Sequence, residues 1–214
     1  MANKQKARRE KVIDQLLAGD FAALIETAGR EPGIIVILLQ LTFALEDLLS
    51  WRAVEGMGYL AQALPDKVAK IRGRLLWLLN EDSGSFGWGA PAVLGEIGRQ
   101  NLSLIEDIML MLFTYLEEDF SRSPMLWGLG RLGQEHPHAI QPAIPQIMEF
   151  LQDPVPQVRA NAAWCLGMSG ALAAVEPLTK LTNDPEPVKL YEDGELRQTT
   201  VEEIARQALG RLRS

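Results

Sequence analysis

The sequence of 214 residues predicts an all-α protein: an α-solenoid, or superhelix, of about five stacked helical pairs with a small β-hairpin inserted near its C-terminus. Three observations predict it. A Leu-Gly or Met-Gly pair recurs with its glycine at Gly58, Gly95, Gly130, Gly167 and Gly210, at spacings of 37, 35, 37 and 43 residues. Ahead of each pair lies a second stretch with apolar residues three and four apart, the spacing of a helix with one buried face. The last and longest unit contains Asp193-Gly194 between two short alternating runs, a strong signal for a two-residue hairpin turn.

Taken in order, residues 1–30 read as a capping pair of helices, about Ala7 to Ala18 and Phe21 to Ala28. The first helices of the repeats are expected at Gly33–Leu45, Val68–Leu79, Leu104–Leu116, Ile140–Leu151 and Val175–Leu181. The second helices carry the glycines: Trp51–Leu60, Trp88–Gly98, Pro124–Gly133 and Val158–Gly170. Small residues at matching places let neighbouring helices approach closely. Pro91 and Pro124 suit a first helical position, where a missing N–H costs nothing. Residues 188–200 form the expected hairpin, and Val201–Arg213 closes the stack with a charged outer side. The whole chain, 1–214, is expected to be one domain.

Composition narrows the function classes. Hydrophobic residues are 47% and charged residues 23%, ordinary for a globular protein. The net charge of −7 disfavours a phosphate backbone as partner, because such binding rewards clustered Lys and Arg. Five basic residues between Lys4 and Lys11 are the exception, read as a solvated terminus. The most apolar stretch, Ile34–Leu45, is shorter than the about 20 residues a membrane helix needs, so no membrane span is expected. No signal region follows the N-terminus, and the lone cysteine, Cys165, excludes an internal disulfide. Both point to the cytoplasm.

The run Asp153-Pro-x-Pro-x-Val158-Arg159-x-Asn161-Ala-Ala-x-x-Leu166-Gly167 resembles the HEAT-repeat signature, and its closest subtype in appearance is the phycocyanobilin-lyase-type HEAT-like repeat. The resemblance implies that Asp153 and Arg159 tie turn to helix between neighbouring repeats. It also implies a binding scaffold more often than an enzyme. HEAT-like iron hydroxylases use several His-Glu pairs on their helices; this chain has only His136 and His138, flanking Pro137, so no metal site and no cofactor are expected. Gly95-Glu-Ile-Gly98 and Gly128-Leu-Gly130 lie inside helices and read as packing glycines, not as a dinucleotide loop.

A helical wheel places candidate binding residues on the groove side of the second helices: Arg52, Glu55 and Tyr59, then Glu96, then Trp127 and Arg131, then Asn161 and Trp164. Aromatic residues with arginine are the composition of protein-binding hot spots. Both tryptophans equally suit gaps between adjacent helices. The leading function is thus a non-catalytic scaffold that takes a protein or peptide in its concave groove. The alternative is a cofactor-handling protein or lyase related to the bilin lyases, using the polar loop Asn80, Glu81, Asp82 and Ser83 framed by Trp77 and Trp88. The oligomeric state is open at this point.

Overall fold

The computed structural model describes residues 2–80 and 89–213. The fold is all-α with one small β-hairpin near the C-terminus. Its contacts divide the chain into two compact units, Met1–Ile105 and Glu106–Ser214.

The first unit holds α1 (Ala2–Leu17), α2 (Phe21–Arg30), α3 (Gly33–Leu41), α4 (Leu48–Ala63), α5 (Pro65–Leu79) and α6 (Ala90–Gln100). Local chemistry sets several ends. The Asp20 carboxylate accepts from the Ala23 N–H and starts α2. Asp47 and Ser50 form a reciprocal capping box at the start of α4. The Lys67 ammonium donates to the Ala28 carbonyl at the end of α2, where unpaired carbonyls and the helix dipole favour a cation. The expected helix Gly33–Leu45 stops at Leu41, where the Thr42 hydroxyl donates back to the Leu39 carbonyl. The Thr42 carbonyl lies where a side chain on Gly89 would begin, which holds position 89 to glycine. The core is Leu16, Leu24, Ile34, Leu38, Val54, Met57, Leu75 and Val93, all fully or almost fully buried.

The second unit holds α7 (Met109–Thr114), α8 (Asp119–Glu135), α9 (Pro137–Ile140), α10 (Ile144–Glu149), α11 (Pro156–Met168), α12 (Val175–Leu181), β1 (Pro187–Glu192), β2 (Glu195–Thr200) and α13 (Val201–Arg213). The strands pair antiparallel from Pro187 opposite Thr200 to Glu192 opposite Glu195. Asp193 and Gly194 both take positive φ, 51° and 80°, as a type I′ turn requires. α12 and α13 match the expected bounds. Two expected first helices are broken. Leu104–Leu116 becomes 3₁₀ turns followed by α7, and Ile140–Leu151 becomes α9, a 3₁₀ turn, α10 and a second 3₁₀ turn. Pro142 and Pro145 lack the N–H that a continuous helix needs at the second break. His138 belongs to α9 rather than to a loop.

Pro124 is not at a helix start, as the sequence suggested; it lies inside α8. α8 begins at Asp119 because its first turn is tied down. The Ser121 hydroxyl donates to the Tyr115 carbonyl, and Arg122 Nε donates to the Leu116 carbonyl.

The recurrent glycine has a direct cause. A Cβ on Gly58 would sit 2.7 Å from Glu96 Cγ in α6, one on Gly130 2.5 Å from the Trp164 ring in α11, and one on Gly167 2.7 Å from Ala208 in α13. At these three repeat glycines the next second helix of the same unit touches. Arginines form a parallel ladder along the turns. Arg122 reaches the Asp153 carboxylate at 3.3 Å, and Arg159 reaches Asp184 at 2.8 Å. The tie implied between Asp153 and Arg159 is therefore built differently: Arg159 takes the backbone carbonyl of Asp153, and the carboxylate faces the preceding repeat.

Candidate functional site

The wheel places Trp127 and Trp164 on one face of α8 and α11, and in the folded chain they stack on each other. Their ring centroids are 6.0 Å apart and their planes 3° from parallel. They do not line an open groove, however: Trp127 is 1% exposed and Trp164 is fully buried. The hairpin covers them. The Trp127 indole N–H donates to the Tyr191 carbonyl at 2.9 Å, and the Tyr191 ring leans against Trp127 with centroids 6.1 Å apart. The Trp164 indole N–H donates to Glu192 Oε1, also at 2.9 Å. Arg131 lies over Trp127 at 5.6 Å, a cation against the negative face of the ring.

The hairpin is held by its backbone as well as by its side chains. Gln157, one turn before Asn161 on the same face of α11, donates its amide N–H to the Lys189 carbonyl at 2.8 Å. Its amide oxygen accepts the Lys189 N–H at 3.0 Å. A side-chain amide thus imitates a neighbouring strand. Asn161 fixes the other side of this face by donating to the Ser123 carbonyl and hydroxyl. Glu192 is the anchor at the turn end: its buried carboxylate accepts from Trp164, from Arg211 at 2.7 Å and from Arg197 at 2.6 Å. Burying a carboxylate is costly unless charge and hydrogen bonds compensate it, and here both oxygens are engaged.

The residues missed from sequence are therefore Gln157, Lys189, Tyr191, Glu192, Arg197 and Arg211. A signal existed for some of them. Gln157, Asn161 and Trp164 share one helical stripe, and Val188-x-Leu190-x-Glu192 alternates as a strand with one buried face does.

In the first unit the candidates meet the chain's own helices. Arg52 pairs with Glu55 at 3.3 Å and lies over Phe21 of α2 at 5.9 Å, while Tyr59 stacks on Phe21 at 4.4 Å. Arg52 and Tyr59 stay half-buried, and Glu55 is buried. Glu96 is fully buried in α6, paired with Arg99 at 3.0 Å. Of the polar loop, Trp77 is 56% exposed and Asn80 caps its own helix by donating to the Leu76 carbonyl. Glu81, Asp82, Ser83 and Trp88 lie outside the described residues.

Cys165 is enclosed between helices, and burial pushes its thiol well above the ordinary range. That shift disfavours the thiolate, the form of cysteine that acts as a nucleophile. Among the described residues no cluster of three or more His, Cys, Asp or Glu could hold a metal ion, and no helix is long and apolar enough to cross a membrane.

Residues 121–168 match the HEAT-like repeat family, and residues 158–184 match the PBS lyase HEAT-like repeat family. The matched region runs from the first turn of α8 to the aspartate that receives Arg159, so it contains the arginine ladder and both stacked tryptophans. An uncharacterized protein of Archaeoglobus fulgidus is 24% identical over 173 residues, covering 74% of this chain and 86% of that protein.

Proposed function

We propose that this chain, a HEAT-repeat protein, is a non-catalytic scaffold that binds a protein partner through an extended segment of polypeptide. One observation carries the reading: the face of α8 and α11 already holds an extended strand, β1, by groups that read backbone rather than side chains. Gln157 takes both polar groups of Lys189, and Trp127 takes the carbonyl of Tyr191. Such recognition suits polypeptide, whose N–H and C=O groups repeat whatever the sequence.

Within the first unit the candidate binding positions are Arg52, Glu55, Tyr59 and Glu96, and within the second Trp127, Arg131, Asn161 and Trp164; of these only Arg52 and Tyr59 are not buried. Trp127 and Trp164 contribute by shaping the floor and holding the hairpin. Arg52 and Tyr59, half-buried, are the positions at which a partner side chain has room to meet the chain.

The test is photo-cross-linking from positions 52 and 59 in the native source, followed by mass spectrometry of the captured protein and small molecules. The expected result is one stoichiometric protein cross-linked through both positions. A small molecule without a protein, or cross-links that reach no protein, would overturn the scaffold reading.

A further inference from the structure

The hairpin has two edges, and they are treated differently. On β1, Lys189 turns its N–H and C=O away from β2 into Gln157, and Tyr191 turns its C=O away into Trp127. Residues opposite one another in an antiparallel pair share the same orientation. Gln198 stands opposite Lys189, Leu196 opposite Tyr191, and Thr200 opposite Pro187. Leu196 and Gln198 therefore point their backbone N–H and C=O groups outward and Thr200 its N–H, and among the described residues these groups meet no partner; the Thr200 carbonyl starts the hydrogen bonding of α13. Gln198 is exposed, and Leu196 and Thr200 are half-buried.

Open edges are normally blunted by proline, by a bulge or by charges along the strand. β2 has no proline, and its register with β1 runs without a bulge. Its one cation, Arg197, is already committed to Glu192. We propose that this edge is the interface with a second copy of the chain, β2 pairing antiparallel with β2 across a twofold axis at Gln198.

The sequence of β2 suits its own reverse. With Gln198 opposite Gln198 of the second copy, Leu196 falls opposite Thr200 and Thr200 opposite Leu196, so the two Gln198 residues exchange both their backbone bonds and each Leu196 C=O accepts from a Thr200 N–H. The result is on the order of four backbone hydrogen bonds and a continuous four-stranded sheet. Side chains match on both faces. On one face the two Gln198 amides meet and can exchange hydrogen bonds, while Leu196 covers the Thr200 methyl. On the other, Arg197 stands opposite Thr199 of the second copy. Thr199 hydrogen-bonds the Glu203 carboxylate at 2.6 Å, so the guanidinium meets a carboxylate and not a like charge. The same patch serves both copies, as a closed twofold dimer requires. This interface lies on the opposite edge of the hairpin from Gln157 and is independent of partner binding at the second-helix face.

Sedimentation of the full chain at roughly 1 to 200 µM and about 0.15 M salt tests it. The wild type is expected to form a concentration-dependent dimer. Gln198→Pro removes an N–H that points away from β1, and proline is tolerated at such edge positions. It should abolish the dimer while leaving the thermal midpoint and helix content of the monomer unchanged. Gln198→Cys gives an independent reading: paired residues at the axis lie about 5.5 Å apart between Cα atoms, within disulfide reach. Mild oxidation should cross-link Gln198→Cys into a dimer and leave Lys189→Cys, on the covered edge, monomeric. A wild type that stays monomeric across the range, a Gln198→Pro variant that still dimerises, or equal cross-linking of the two cysteine variants would overturn the proposal. An extended segment of a different protein as the true occupant gives the first of these outcomes.

Discussion

Gly130 and Trp164 specify one another. The ring lies where the glycine's side chain would be, 2.5 Å from an added Cβ, and neither can change alone. Gly130→Ala is therefore expected to destabilise the fold by about 1–3 kcal/mol, the usual cost of forcing an extra methyl into a packed contact. Gly210 holds the same place in the last repeat, with no further second helix against it and nothing within 4 Å of an added Cβ. There Gly210→Ala should stabilise by about 0.5–1 kcal/mol, because only the helix propensity of alanine remains. Urea unfolding of the two variants reads both signs, and equal effects at the two positions would remove close approach as the cause of the glycine period. At this scale the sequence was informative because the constraint sits in the backbone. A glycine that returns every 35 to 37 residues marks a contact whichever side chain makes it. The direction of Trp164, toward the side of the second helices that also carries Trp127, was legible from the helical wheel. What lies over Trp164 was not, since burial by a distant strand leaves no trace in the periodicity of the helix.

Elements with local causes were legible, and elements with distant ones were not. The turn at Asp193-Gly194 predicts its hairpin because two positive φ values are cheap only for such residues. The bounds of α12 and α13 follow from uninterrupted apolar spacing. α8 starts five residues before Pro124 because Ser121 and Arg122 tie its first turn to carbonyls of the preceding turn, a tertiary arrangement that proline statistics ignore. The docking of β1 on α11 is another distant cause, and it hangs on Gln157. Gln157→Ala should cost about 1–2 kcal/mol, the two hydrogen bonds to the Lys189 N–H and C=O that are then left to solvent, and should leave the rest of α11 helical. Hydrogen exchange gives the specific signature. The Lys189 amide, whose acceptor is the Gln157 oxygen, should lose protection, while the Leu190 amide, turned toward β2, should keep most of its own. Protection unchanged at Lys189 would mean that the hairpin is seated by its apolar face alone. Gln157→Glu sharpens the comparison, because a carboxylate can accept from the Lys189 N–H but has no proton to give its carbonyl.

At the scale of the whole chain, charge is divided unevenly between the two compact units. Residues 106–214 carry nine Lys and Arg against sixteen Asp and Glu, the entire net charge of −7, while residues 1–105 are balanced at twelve of each. An acidic body of that kind still folds if its charges lie on turns and outer faces, as Glu117 and Glu118 do before α8 and Asp119 at its first residue. The second unit has its own core, in which Leu126, Leu129, Ile140, Ile147, Leu166, Leu178, Ile204 and Ala208 are buried. It also contains its whole arginine ladder and both strands of its hairpin, and at 109 residues it is within the size of autonomous domains. Expressed alone, residues 106–214 should fold cooperatively. The readout is unusually direct, because Trp127 and Trp164 are the only tryptophans in that fragment and both are buried. Its emission should be blue-shifted in buffer and move to the red in a single urea transition coincident with loss of helix. A red-shifted emission in buffer, or a transition in fluorescence that precedes the loss of helix, would mean that the hairpin does not seat on the tryptophans without residues 1–105.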